Sequence, residues 1–229
     1  SREVFLAALR AEGVPPPEHK FAVRNSKRPF ATDVFRGVAG AGAELVSAPA
    51  TTAETRRVQP SMQGNVYLML HGSDADGSAF WGEDAANGRL VEAVDVSCLP
   101  AKGRGVIFTG ACWGALTVTR RASVQATDRP PQPKSPDQSI ALTALRSGYC
   151  AFVGCTGSHY SPGGKQADTA GGPLHRLFWT QLAAGRSPAE ALFLAKRDYA
   201  AKIPYRNDPI EEAIEQKILR QFTCLGLGW

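Results

Sequence analysis

Val66-Tyr67-Leu68-Met69-Leu70-His71-Gly72 and Val106-Ile107-Phe108-Thr109-Gly110-Ala111-Cys112-Trp113-Gly114 decide the fold of this chain. Each stretch is a short apolar run that stops abruptly at a reactive residue. The length, branching and apolar continuity predict strands buried on both faces, as in a parallel sheet covered by helices above and below. In such a sheet the functional crevice lies beyond the carboxyl ends of the strands. His71 and Cys112 are therefore expected on one rim. A thiol becomes a strong nucleophile as the thiolate, and a neighbouring imidazole is one way to generate it. The pattern points to a cysteine-histidine dyad and to acyl transfer.

The 229 residues suffice for a large core in one domain or two small ones. With 43% hydrophobic and 21% charged residues, the balance is that of a globular protein rather than a disordered one. The net charge of +5 comes from scattered basic residues with no interleaved aromatic stripe, which argues against a nucleic-acid partner. Five cysteines, widely spaced, do not read as a disulfide framework. The absence of a CxxC pair and the presence of only four histidines argue against a structural zinc, so no metal and no cofactor is expected. No apolar run approaches the ~20 residues of a membrane span, and no signal peptide is visible. The chain starts at Ser1 without methionine and reads as a fragment of something longer, with a reducing, cytoplasmic setting as the default.

Along the chain, residues 3–12 predict a short amphipathic helix, and residues 18–30 are polar and give no clear element. Thr32-Asp33 reads as a cap for a helix running towards Ala43 and Leu45, although Gly37, Gly40 and Gly42 weaken it. Residues 48–64 read as loop, and 65–70 as the first strong strand. A turn-rich loop follows over 72–81, then a short strand or helix over 89–97 and a strand over 105–110. Residues 120–137, rich in proline and charge, predict a long mobile loop inserted within one domain. A helix is expected from Ser139 to Gly148, a strand from Tyr149 to Gly154, and a glycine-rich loop over 156–172. A helix follows from about Pro173 to Ala184. Ser187-Pro188-Ala189-Glu190 is a capping box opening another helix. Asp208-Pro209 starts a last helix, and Phe222 to Leu227 a last strand. This order predicts a layered α/β fold.

The two opening motifs resemble those of the caspase-like fold of cysteine peptidases, the group of caspases, gingipains, separases and CHAT domains. In that group one apolar strand ends in His-Gly and the next ends in a small residue followed by the catalytic cysteine. Gly185-Arg186-Ser187-Pro188-Ala189-Glu190-Ala191-Leu192 and the helix and strand over 139–154 are similar to CHAT and gingipain-like segments. The resemblance covers about residues 65–200. It implies a three-layer α/β/α sandwich with a mostly parallel sheet of about six strands. Residues 65–229 would be the peptidase core, with residues 1–64 packing on it or completing it. The chain departs from caspases and metacaspases at Gly110 and Trp113, which leaves aspartate specificity and a metacaspase-type pocket unsupported.

The expected chemistry is cleavage of a peptide bond in a protein or peptide substrate. Cys112 attacks, and His71 polarises the carbonyl or protonates the leaving amine. The resemblance implies that the amides of Gly72 and Cys112 form the oxyanion hole. Asp74 and Asp76, in an acidic loop with Glu83 and Asp84, are candidates for pairing with a basic side chain before the cut, or are solvated turn carboxylates. Trp113 and, in the glycine-rich loop, Ser158, His159 and Asp168 are further candidates for substrate binding, while His159 and His175 read as ordinary polar residues rather than second catalytic groups. Cys155 is the one rival nucleophile, without a His-Gly partner. The leading reading is the protease domain of a larger regulated signalling or defence protein, controlled by a partner or by flanking domains. The alternatives are a catalytically idle CHAT-like interaction module, and an acyltransferase or other thiol hydrolase.

Overall fold

In a computed structural model, residues 18–52, 61–119, 132–203 and 208–226 are described. Six strands form one sheet: β1 His19–Asn25, β2 Ala41–Ser47, β3 Asn65–Met69, β6 Val106–Thr109, β7 Ala151–Cys155 and β8 Phe222–Gly226. Their order across the sheet is β2-β1-β3-β6-β7-β8. All neighbours are parallel except the β7/β8 pair at one edge. Between β3 and β6 the chain makes a separate antiparallel hairpin, β4 Ala79–Glu83 with β5 Leu90–Asp95.

Period-two alternation divides the sheet side chains between two cores. Ala22, Tyr67, Met69, Phe108 and Val153 face one side. There they pack against helices α1 Phe30–Arg36, α3 Gly172–Ala183, α4 Pro188–Ala200 and α5 Pro209–Gln221. Val23, Val66, Leu68, Ile107 and Phe152 face the other, against α2 Ile140–Ser147 and the hairpin residues Phe80, Ala93 and Val94. The result is the three-layer α/β/α sandwich with a six-stranded, mostly parallel sheet. Strands β3, β6 and β7 are buried along their whole length, which is why their sequences carry no polar alternation.

Helix boundaries follow local chemistry. Ser139 Oγ accepts from the Leu142 amide to start α2, and Gly148, at φ 117°, ends it. Ser187 caps α4 ahead of Pro188, and Asp208 caps α5 ahead of Pro209.

Three sequence expectations are corrected. Residues 19–25, which gave no element, form β1, a central strand pairing with both β2 and β3. Its buried run is only Phe21-Ala22-Val23, flanked by Lys20 and Arg24, too short to signal a strand. The helix expected from Thr32 towards Leu45 ends at Arg36, and 41–47 is strand β2. The three glycines there disfavour helix, and Ala41 to Ser47 lies along the open edge of β1. The loop expected over 72–81 turns into strand at Ala79. The helix expected over 3–12 lies outside the described residues, as does most of the 120–137 loop. The base of that loop is a short antiparallel pairing, Thr119 N to Gln132 O at 2.8 Å and Lys134 N to Thr117 O at 2.8 Å.

Candidate active site

Strands β3 and β6 are hydrogen-bonded neighbours, with Leu68 opposite Thr109. His71 and Cys112 each lie three positions further along, so the two reactive residues leave adjacent strands at matching places. Sheet order reverses one strand away, between β1 and β3: the chain goes outward from β1 to β2 and returns to β3 on the other side of β1. That reversal is where open α/β sheets hold their crevice. The two segments also touch, because a Cβ built on Gly72 would lie 2.0 Å from the Cys112 carbonyl oxygen. Only glycine allows this approach of backbone to backbone.

The imidazole is held from two directions. His71 and Trp81 exchange main-chain hydrogen bonds, His71 N to Trp81 O at 2.7 Å and Trp81 N to His71 O at 3.0 Å. This pairing ties the residue to β4. Two residues further on, on the same face of that strand, Glu83 Oε2 accepts from His71 Nε2 at 3.0 Å. A carboxylate can only accept, so Nε2 carries a proton and Nδ1 is the ring's acceptor nitrogen. The hydrogen bond from His71 holds the Glu83 carboxyl below the usual range, helped by the charges of Lys27 and Arg28 at the end of β1. Sequence reasoning saw Glu83 only as one of several loop acids. Its partnership depends on the hairpin, whose return strand was invisible in the turn-rich residues before it.

Cys112 begins the turn that leaves β6. Trp113 adopts a left-handed φ of 49°, a strained conformation for a bulky residue, and its amide donates to Gly157 O at 2.9 Å. The sulfur meets the segment after β7: the His159 amide donates to Cys112 Sγ at 3.3 Å, and the His159 carbonyl lies 3.9 Å away. Among the described residues the amides of Gly72 and Cys112 have no acceptor, while those of Ala111, Trp113 and Gly114 are all engaged. Both belong to the two segments that meet at Gly72 and Cys112.

The other thiols are unsuited to reaction. All five cysteines are unpaired. Cys155 is fully buried, donates to Ala111 O at 3.0 Å and Gly157 O at 3.2 Å, and is pushed by burial up to about 11. Burial likewise raises Cys98, Cys150 and Cys224.

The remaining candidates are dispersed. Asp76 Oδ1 accepts from the amide and the hydroxyl of Ser78, at 2.8 and 2.6 Å, and so organises its own turn. Asp74 is half-buried in the same loop, and Trp113 and Ser158 are half-buried in the two segments that hold the sulfur. Asp168 is exposed at a cavity of about 430 Å³ between α3, α4 and α5, beside Arg176, Tyr199, Lys202 and Glu215. Among the described residues no cluster of three His, Cys, Asp or Glu side chains could hold a metal ion. None of their helices is long and apolar enough to cross a membrane.

Two solved structures share this architecture. One is gingipain R, an Arg-specific cysteine proteinase. It matches with a TM-score of 0.56 at 9% identity, over 98% of this chain and 51% of that one. The other, described as a protease, matches with a TM-score of 0.53 at 12% identity, over 99% of this chain and 52% of that one. This chain thus spans about half the length of the structures it matches. No protein-family model and no curated protein sequence matches it. At such identities the likeness is one of fold: the chain has a caspase-like, gingipain-like architecture.

Proposed function

We propose that this domain is a cysteine endopeptidase that uses Cys112 as nucleophile and His71 as general acid-base. The observation that carries the reading is the pairing of His71 Nε2 with Glu83 Oε2, on the strand next to the one that delivers Cys112. A histidine placed only for packing needs no oriented tautomer. One fixed with its second nitrogen free is prepared for proton transfer.

In this mechanism the Cys112 sulfur attacks the scissile carbonyl carbon and the oxyanion is taken up by the amides of Gly72 and Cys112. His71 Nδ1 takes the Cys112 thiol proton and passes it to the departing amine; it then takes a proton from the water that releases the acyl group and returns that proton to the departing sulfur. Glu83 keeps the imidazole turned and balances its charge when protonated. Glu83→Gln removes that charge but keeps the shape, and is expected to lower kcat/KM about ten- to a hundredfold at unchanged stability, read with a fluorogenic peptide.

The substrate is a protein or peptide in extended form. A basic residue before the cut is supported by the acidic residues Asp74 and Asp76 in the loop after His71, and Trp113 and Ser158, next in the chain to Cys112 and His159, offer further contacts. Flanking segments or a partner protein would regulate access. A positional-scanning peptide library tests the whole reading. Cleavage by the wild type, absent in Cys112→Ala, supports it, and enrichment of Arg or Lys before the cut supports the pocket. A library left uncut by folded wild-type protein, or cut equally by both, overturns the peptidase reading in favour of an interaction module.

A further inference from the structure

The segment after β7 does more than flank the cleft. His159 offers two main-chain groups to Cys112 Sγ: an amide at 3.3 Å, which serves a thiolate, and a carbonyl at 3.9 Å, which serves a thiol. The amide is the closer of the two. Residues 156–171 contain no helix or strand, so something else must hold this amide in place.

The anchor is the His159 side chain. Its ring stacks on His175 at 4.9 Å between centroids and 25° between planes, and meets Phe222 edge-on at 5.2 Å. His175 is itself fixed, fully buried on α3, with Nδ1 2.8 Å from the Tyr67 hydroxyl of β3. The ring also occupies a notch that only glycine leaves open: a Cβ on Gly171 would lie 2.3 Å from His159 Cε1. Both ring nitrogens are shut off from solvent and lack a hydrogen-bond partner among the described residues. An unpaired buried imidazole costs stability, so it is the ring's shape and packing, not its nitrogens, that serve here.

We infer that His159 is a positioning residue: its buried ring, seated in the Gly171 notch against His175, pins the His159 amide on Cys112 Sγ and so keeps the sulfur reactive. The inference rests on the reading of Cys112 as the nucleophile. It is read on the thiol itself, with no peptide present.

The test is the rate of Cys112 alkylation by iodoacetamide between about pH 5 and 9, located by mass spectrometry, with near-ultraviolet circular dichroism reporting the fold. His159→Ala is expected to slow alkylation at neutral pH about tenfold. His159→Phe, which keeps a ring in the notch, is expected to stay within about threefold of wild type. Should His159→Ala fail to fold, Gly171→Ala displaces the ring without altering it and is expected to give the same loss. Wild-type alkylation in folded His159→Ala or Gly171→Ala overturns the inference, as does equal loss in the Phe and Ala variants. A chain that alkylates as described but cleaves no peptide removes the peptidase reading and leaves the thiol-positioning role standing.

Discussion

Gly72→Ala is expected to lower kcat/KM for a cleaved peptide by about a hundred- to a thousandfold, with the protein still folded. The added methyl would have to occupy a point 2.0 Å from the Cys112 carbonyl oxygen and 3.3 Å from the Ala111 side chain. Neither can yield: Ala111 is fully buried, and the carbonyl belongs to the turn that holds the nucleophile. The segments carrying His71 and Cys112 must part, and with them the two amides that have no acceptor. Loss of one aimed oxyanion donor costs about 10²–10³ in kcat in acyl transfer, which sets the scale. The accompanying loss of stability is expected to be only about 1–3 kcal/mol, the usual range for an overpacked site. Steady-state kinetics with thermal unfolding checks both numbers. A Gly72→Ala protein with wild-type turnover would remove the amide pair from the mechanism.

Acid is expected to destabilise the fold, with the two buried histidines as a main cause. Burial lowers His159 from 6.5 to about 3, reinforced by Arg28. Burial also takes His175 well below its ordinary value, with His159 adding repulsion. Both are neutral when folded and bind protons readily once unfolded. The stability they contribute is therefore complete above about pH 6.5 and is lost as pH falls from there towards the folded value. For His159 alone the loss is about 2 kcal/mol on going from pH 6.5 to pH 5. His159→Phe removes this titration and the two unpaired nitrogens, so it should be the more stable protein at pH 5. Urea denaturation at pH 8 and pH 5 measures the difference. Parallel pH dependence in wild type and His159→Phe would show that the ring is not held neutral by its surroundings.

The parts of the fold legible in the sequence are those whose burial is uniform. Val66 to Leu70, Val106 to Thr109 and Ala151 to Cys155 are apolar because both of their faces are covered. The caps at Ser139, Ser187 and Asp208 are legible because capping is local chemistry. Strand β1 was not, because Lys20 and Arg24 interrupt it: their stems are sheathed by protein while their heads reach Phe35 O, Val38 O and Thr32 Oγ1. Strand β2, largely exposed and glycine-containing, is specified by its neighbour rather than by its own residues.

The site divides in the same way. His71 and Cys112 end strands that could be read, so their common rim could be read too. Glu83 and His159 reach the site through tertiary structure, one on a hairpin that folds back across the strand ends and the other on a loop held by buried rings. A single sequence has no period or spacing that announces either.

A peptidyl electrophile with an acyloxymethyl ketone warhead, followed by mass-spectrometric mapping, tests most directly whether sulfur and imidazole serve one peptide carbonyl. Stoichiometric adduct on Cys112, slowed at least about tenfold in His71→Ala and with Cys155 unmodified, is the expected result. A folded protein that takes up no label at Cys112, or is labelled there equally fast without His71, would contradict it.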